Sequence, residues 1–158
     1  MKKILFIFLF VLCSSVIPFL PSYAADEPVY DSSYNNNAGA FYANGTDITI
    51  DKDSDNNTFI TWDNGSQIVS SKVTVFGGGT DGSVYENSNI VMNDGEVHAL
   101  AGGGVSVEEN LPAKVTNSNI TVNNGTVLVS VIGGGYLYSE VENTNIIKNN
   151  LTEKVRIV

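Results

Sequence analysis

One four-residue phrase occurs three times in this chain of 158 residues, and each copy follows a run of three glycines. The copies are Asn87-Ser88-Asn89-Ile90, Asn117-Ser118-Asn119-Ile120 and Asn143-Thr144-Asn145-Ile146, and the glycine runs begin at Gly77, Gly102 and Gly133. A repeated phrase predicts a stack of similar units, because each unit buries its apolar face only when a neighbour covers it. This repeat limits the possible folds more than any other feature.

Turn signals give the length of the repeat. Asn64-Gly65, Asp94-Gly95 and Asn124-Gly125 are thirty residues apart, and Asn or Asp before Gly favours the positive φ of a tight turn. Each of these turns follows a short strand-like segment, at residues 60–62, 90–92 and 120–122. A second set of β-branched segments, at residues 73–76, 97–101 and 127–132, runs into the glycine triplets.

These signals predict an all-β parallel β-helix, or solenoid, of about three to four coils over residues 46–158. Each coil contains a strand, a glycine turn, a variable connector, a second strand and an Asn-Gly turn, with neighbouring coils about 4.8 Å apart. Residues 47–50 are a candidate first strand. The alternative is a β-sandwich or a meander of antiparallel hairpins, since Asn-Gly also marks hairpins. A sandwich does not explain why whole phrases recur in register.

The stack predicts which side chains lie above one another. Identical amides in register can hydrogen-bond along the stack as a ladder, while the isoleucines of the phrase fill the core. The predicted structural columns are Asn89, Asn119 and Asn145, and beside them Ser88, Ser118 and Thr144.

The first 24 residues have the pattern of a secretory signal peptide. Lys2 and Lys3 precede an apolar run at residues 4–20, and Ser22-Tyr23-Ala24 offers small residues for cleavage. A retained membrane anchor is the alternative. Residues 25–45 show no period and are predicted to be an irregular leader or an N-terminal cap over the first coil.

Removal of that segment leaves no cysteine, because the single Cys13 lies within it. The sequence therefore predicts neither disulfides nor thiolate chemistry. The remaining chain holds six basic and 17 acidic residues, a formal net charge of −11. An acidic chain of this kind repels nucleic acid and anionic membranes, and we expect it to bind neither.

Few residues suggest chemistry. Asp51, Asp53 and Asp55 alternate like the oxygen ligands of a calcium loop, but Asn56 and Trp62 stand where such a loop has Gly and Glu. The preferred interpretation is a solvated acidic turn, with a calcium site as the alternative. His98, the only histidine, falls in different columns when the coils are aligned by glycine triplets or by Asn-Gly turns, which predicts a β-bulge.

The Gly-Gly-Gly, Asn-Ser-Asn-Ile and Asn-Asn-Gly phrases, over about residues 60–150, resemble the repeats of bacterial surface or secreted adhesin-like proteins with a parallel β-helix. The resemblance implies a short or truncated member of such a group and carries over no catalytic residues. We therefore expect a secreted or cell-surface structural or adhesive module, without enzymatic activity or cofactor. The alternatives are a polysaccharide-binding or polysaccharide-cleaving β-helix and a non-functional fragment.

The expected partners follow from this interpretation. They are a surface protein or a glycan of a host or neighbouring cell, bound through exposed connectors, of which residues 106–113 form the longest. Strand edges left open at the end of the stack also predict self-association.

Overall fold

A computed structural model describes residues 26–34, 38–150 and 156–158, and it confirms the predicted β-solenoid, which has about four coils. The predicted signal peptide, residues 1–24, lies outside the described residues. Within them, no helix is long and apolar enough to cross a membrane. The described strands are β1 (Val29–Asp31), β2 (Ala40–Tyr42), β3 (Ile48–Lys52), β4 (Thr58–Trp62), β5 (Gly65–Val69), β6 (Thr74–Phe76), β7 (Val84–Met92), β8 (Glu96–Ala101), β9 (Val105–Ser106), β10 (Ala113–Val122), β11 (Thr126–Ile132), β12 (Tyr136–Leu137), β13 (Ser139–Lys148) and β14 (Arg156–Ile157).

Two six-stranded sheets form the walls of the stack. Sheet A has the order β1-β2-β6-β8-β11-β14, and sheet B has the order β13-β10-β7-β3-β4-β5. Coil 1 contains β2 and β3, coil 2 contains β6 and β7, coil 3 contains β8 to β10, and coil 4 contains β11 to β13. Successive coils pair in parallel in both sheets. A small third sheet pairs the connector strands β9 and β12.

The repeated phrases lie in register along sheet B. Asn119 is opposite Asn89 on one side and Asn145 on the other. Ile90 and Ile120 are buried in the lumen, where they are 1% and 0% exposed. Because side chains alternate along a strand, the serine and isoleucine of each phrase point inward and the second asparagine points outward.

One predicted strand has a different partner from the one that its sequence suggests. The segment at residues 60–62 is part of β4, which pairs antiparallel with β3 and with β5. On the side of the first coil, the parallel partner of Ile90 is Ile48 in β3. The alignment of Asn64-Gly65 with the later Asn-Gly turns is therefore wrong, because β4 and β5 form a hairpin inserted after coil 1.

The first coil also begins earlier than residue 46. Ala40–Tyr42, inside the predicted irregular leader, is strand β2 and pairs in parallel with β6. Val29–Asp31 then covers β2 as an antiparallel strand. The candidate first strand at residues 47–50 is the start of β3. Residues 26–34 thus cover sheet A at the same end of the stack at which the β4–β5 hairpin extends sheet B.

A contact between the two sheets explains the glycine triplets. A Cβ atom built on Gly77 would lie 1.7 Å from Ser88 Oγ, and one on Gly102 would lie 1.7 Å from Ser118 Oγ. On Gly133 the nearest atom is Cγ2 of Thr144, at 2.1 Å. The first glycine of each triplet and the second residue of each Asn-Ser-Asn-Ile phrase are therefore two sides of one close contact.

Candidate functional site

The outer face of sheet B carries the asparagine column that the sequence predicts. Nδ2 of Asn119 donates to Oδ1 of Asn89 at 2.9 Å, and the Asn89 amide donates in turn to the carboxylate of Asp47. Asn145 continues the column on coil 4 and is exposed. The column thus starts on a carboxylate in coil 1 and ends on an exposed amide.

Two further amide ladders flank this column. Asn143 donates to Asn117 at 3.1 Å, and Asn117 donates to Asn87 at 3.2 Å. On the other side, Asn149, Asn123 and Asn93 are joined by bonds of 2.8 and 2.9 Å. Sequence reasoning missed both ladders, although these asparagines recur at the same positions relative to the repeated isoleucine. All the ladder bonds point the same way, from each coil to the preceding one.

The serine column has a different environment. The hydroxyls of Ser88 and Ser118 are buried and have no hydrogen-bond partner among the described residues. Thr144, at the equivalent position of coil 4, is exposed and donates from Oγ1 to the carbonyl of Gly133 at 3.1 Å. This column serves close packing against the glycines in the inner coils.

The acidic segment forms a hydrogen-bonded turn. Asp53 accepts hydrogen bonds from the amides of Asp55 and Asn57 and from Nδ2 of Asn57, all at 2.9 to 3.0 Å. The Asn57 side chain, followed by the Asn57 amide, lowers the pKa of Asp53. In the part of the chain that the structure describes, Asp51, Asp53 and Asp55 do not form a group that could hold a metal ion.

The predicted irregularity at His98 is present as a bulge in β11. The pairing of β11 with β8 shifts between Val127 and Ser130, so that Leu128 and Val129 together face the single residue His98. His98 is half-buried and donates its backbone amide to Val73 at 2.8 Å.

Aromatic side chains from the strands, the N-terminal segment and one connector pack on the outer face of sheet A. Tyr42 stacks on Phe76 at a ring distance of 5.3 Å, and Tyr136 and Tyr34 meet Phe76 edge-on at 5.4 and 6.2 Å. Burial, the largest cause, raises the pKa of Tyr42 to about 12. This second core attaches the connectors to the stack.

The outer side of the connectors is apolar and exposed. We define the connector face as Val107, Leu111, Leu137 and Tyr138, which are 67%, 45%, 71% and 47% exposed. The connectors bond to one another, since the amide of Tyr138 donates to Ser106 at 3.2 Å and the amide of Gly82 donates to Leu111 at 2.8 Å. Leu137 has a φ of 57°, a left-handed conformation that is unfavourable for a bulky residue.

A polar cleft lies near the end of the stack at which the β4–β5 hairpin extends sheet B. It has a volume of about 430 Å³, and its walls include Asp47, Thr49, Thr61, Trp62, Asp63 and Asn89. Trp62 and Asp63 also line an adjoining cleft of about 210 Å³ with Asp26 and Glu27. We call the two together the Trp62 cleft.

Trp62 is held in place from several sides. Its ring packs against the core and lies 5.8 Å from Phe41, and Nε1 donates to Glu27 at 3.3 Å. A Cβ on Gly65 would lie 2.5 Å from the indole ring, so glycine at this position makes room for the tryptophan. Carboxylates, hydroxyls and an amide thus surround one fixed aromatic side chain.

Comparison with known proteins leaves the family of this chain open. No protein-family model matches the sequence, and neither a curated protein nor a solved structure is significantly similar to it.

Proposed function

We propose that this chain is a secreted or cell-surface adhesive module that binds a protein on another surface and performs no catalysis. The observation that carries the proposal is the connector face, where four large apolar side chains are 45 to 71% exposed. The four residues lie on connectors that are hydrogen-bonded to one another through the backbone, and groups of exposed apolar residues are typical of protein interaction sites.

Two features favour binding at this face. The strands are committed to their neighbours through backbone hydrogen bonds, so the connectors can vary without loss of the stack. In addition, Leu137 holds a strained backbone conformation while most of its side chain remains in solvent. Such strain is commonly found at binding sites, where it presents a side chain to a partner.

The test removes the apolar side chains and leaves the backbone intact. In the double variant Val107→Ser/Leu111→Ser, we expect the fold to survive, because the carbonyl of residue 111 still accepts from Gly82. Adhesion of the exported protein to cells should fall by about tenfold, as for loss of a central apolar contact.

A matched control replaces two apolar residues of similar exposure elsewhere. Val29 and Ile68 are 52% and 59% exposed, and Val29→Ser/Ile68→Ser should leave adhesion unchanged. Protease treatment of the target cells should abolish adhesion, whereas glycosidase treatment should not. Equal adhesion of the folded Val107/Leu111 variant and the wild type would refute the proposal.

A polysaccharide-binding function is the second candidate, and the Trp62 cleft favours it. Pockets for polar ligands combine an apolar or aromatic wall with a few hydrogen-bonding groups, as Trp62, Asp63 and Thr61 do here. Binding to an array of immobilised glycans tests this function. Asp63→Ala should then weaken glycan binding, whereas Asp55→Ala, outside the cleft, should not. Release of shortened glycan would indicate cleavage as well as binding.

A further inference from the structure

We propose that Asn124 is a site of spontaneous covalent modification, where the folded chain converts the side-chain amide into a carboxylate. The reaction passes through a cyclic imide that Asn124 forms with the backbone nitrogen of Gly125, and it consumes only water. This site is independent of the connector face and of the Trp62 cleft.

The sequence contains three Asn-Gly pairs, which are Asn44-Gly45, Asn64-Gly65 and Asn124-Gly125. Imide formation requires the glycine nitrogen to reach the side-chain carbonyl carbon of the asparagine, and a glycine has no Cβ that would shield this nitrogen. All three pairs are therefore reactive in an unfolded chain. In the folded chain, the position and the hydrogen bonding of the glycine nitrogen decide which pair reacts.

The turn of coil 2 shows the geometry that the reaction needs. Asp94-Gly95 occupies the position there that Asn124-Gly125 occupies in coil 3, because Met92 and Val122, two residues before each turn, lie opposite one another. The two glycines have nearly the same backbone conformation, with φ values of 100° and 99°. In coil 2 the glycine amide donates to Oδ1 of the preceding aspartate at 2.7 Å. The same backbone in coil 3 brings the glycine nitrogen next to the side-chain carbonyl of Asn124.

The amide of Gly125 is also uncommitted. Among the described residues it has no hydrogen-bond acceptor, and the exposed side chain of Asn124 makes no hydrogen bond. Backbone amides at this corner donate to the preceding turn, as the amide of Thr126 does to the carbonyl of Gly95 at 2.9 Å. An acceptor for Gly125 would therefore belong to a turn that the structure describes. A cleft of about 370 Å³ adjoins Gly125 and gives water access to it.

The other two pairs are held by contacts that oppose the reaction. In Asn44-Gly45 the glycine amide donates to the carbonyl of Gly77 at 2.9 Å, and the asparagine Nδ2 donates to the carbonyl of Glu27 at 2.9 Å. In Asn64-Gly65 the glycine belongs to β5 and is paired with Trp62, whose indole ring lies against it. Attack at either pair must first break these contacts.

The chemistry balances with water as the co-reactant. The nitrogen of Gly125 loses its proton to solvent and bonds to Cγ of Asn124, while the bond from Cγ to Nδ2 breaks and ammonia leaves. Water then opens the imide at one of its carbonyls. Opening at Cγ gives aspartate, and opening at the backbone carbonyl gives isoaspartate, in which the main chain runs through Cγ.

Both products disturb the corner between coils 2 and 3. Aspartate places a carboxylate one rung away from Asp94, which pairs with Lys52 at 3.1 Å. Isoaspartate lengthens the main chain beside Gly125, where even a Cβ atom would lie 2.7 Å from the carbonyl of Gly95. The modified chain should therefore unfold at a lower temperature than the unmodified one.

Mass spectrometry of peptides tests the proposal, because one digest reports all three Asn-Gly pairs. After incubation of the folded exported protein in mildly alkaline buffer, Asn124 should be converted at least about tenfold faster than Asn44 and Asn64, since a hydrogen bond that must first break slows a reaction by about this factor. In urea, where the fold is lost, the three rates should be similar. Conversion of Asn44 or Asn64 as fast as Asn124 in the folded protein would overturn the proposal, as would an Asn124 that stays intact while the denatured chain reacts.

The variant Asp94→Asn tests the geometry itself. It places an amide where the glycine nitrogen lies 2.7 Å from the side-chain oxygen, and this amide should react at a rate similar to that of Asn124. Circular dichroism checks that the variant folds. An introduced amide that reacts as slowly as Asn64 in the folded variant would show that this turn does not promote the reaction and would overturn the proposal.

Discussion

Side chains are buried to different extents at the two ends of the stack, although the sequences are similar. At the first end, β1 and the β4–β5 hairpin extend the sheets with antiparallel strands, and Ile48, Ile50 and Ile60 are at most 2% exposed. At the last end, Asn143-Thr144-Asn145-Ile146 repeats the inner phrase almost unchanged, yet Asn145 and Thr144 are exposed. Burial in a solenoid therefore depends on having a coil on both sides and not on the phrase itself.

This difference means that the same substitution should have a different effect in an inner coil and in the last one. The largest effect is expected at the glycine triplets. In Gly102→Ala the new methyl group would lie 1.7 Å from Ser118 Oγ and 2.6 Å from the carbonyl of Gly133. Because a backbone group cannot rotate away, we expect a loss of about 3 kcal/mol or more in the free energy of unfolding.

Gly134, the second glycine of the coil 4 triplet, is the control for a glycine with open space beside it. No atom lies within 4 Å of a Cβ built there, so Gly134→Ala should change the stability by about 0.5 kcal/mol or less. Urea unfolding of both variants makes the comparison. Similar midpoints would mean that the two sheets are not in close contact at the triplet of coil 3.

The amide ladder should give an intermediate effect. Asn119→Ala removes the donor to Asn89 and leaves partners unsatisfied in a half-buried position, at a cost of about 1 to 3 kcal/mol. Asn145→Ala, on the exposed last coil, should cost about 0.5 kcal/mol or less. Equal and negligible losses at both positions in denaturant melts would contradict the ladder as a source of stability.

Removal of the hydroxyl from the serine column should change the stability in opposite directions in coil 3 and in coil 4. The buried Ser118 hydroxyl has no partner among the described residues, so Ser118→Ala should be neutral or stabilise the fold by up to about 1 kcal/mol. Thr144→Ala loses the bond to the carbonyl of Gly133 and should destabilise it by about 0.5 to 1.5 kcal/mol. Thermal melts of the two variants, which are expected to move in opposite directions, test this difference.

The smallest effect on stability is expected from a fall in pH. The pKa of Asp94 is lowered, first by the amide of Gly95 and also by Lys52, which lies 3.1 Å away. The other carboxylates with a lowered pKa precede Asp94 in the chain: Asp31, Asp53 and Asp81. Since the folded pKa is the lower one, the stabilisation is complete above the unfolded pKa of about 3.9 and disappears as pH falls through the folded values.

Hydrogen exchange at pH values from about 5 down to about 3 should therefore show weaker protection in coils 1 and 2 before any change in coil 4. Asp94→Asn should reduce this pH dependence, because the amide is uncharged and does not titrate. Earlier loss of protection in β13 than in β3 would contradict the assignment of the acid sensitivity to coils 1 and 2.

The failures of sequence interpretation have a common physical cause. Residues 60–62 look like a rung because Ile60 and Trp62 alternate as the later rungs do, but alternation describes one strand and not its partner. The pairing of β4 with β3 depends on the turn at residues 53–57, where Asn56 adopts a φ of 64°. Gly65, which resembles a turn glycine, is needed because the Trp62 ring lies against it.

The sequence by itself determined the repeat unit, the register of coils 2 to 4 and the inward position of Ile90 and Ile120, because identical phrases and a period of two residues are local properties of the chain. Only the tertiary structure decided which strand precedes the first repeat, which serine faces which glycine, and which copy of the phrase is exposed. These are distances between residues far apart in sequence, and the connectors that separate them differ in length from coil to coil. The connector face and the Trp62 cleft depend on the same long-range distances, so neither could be read from the repeat.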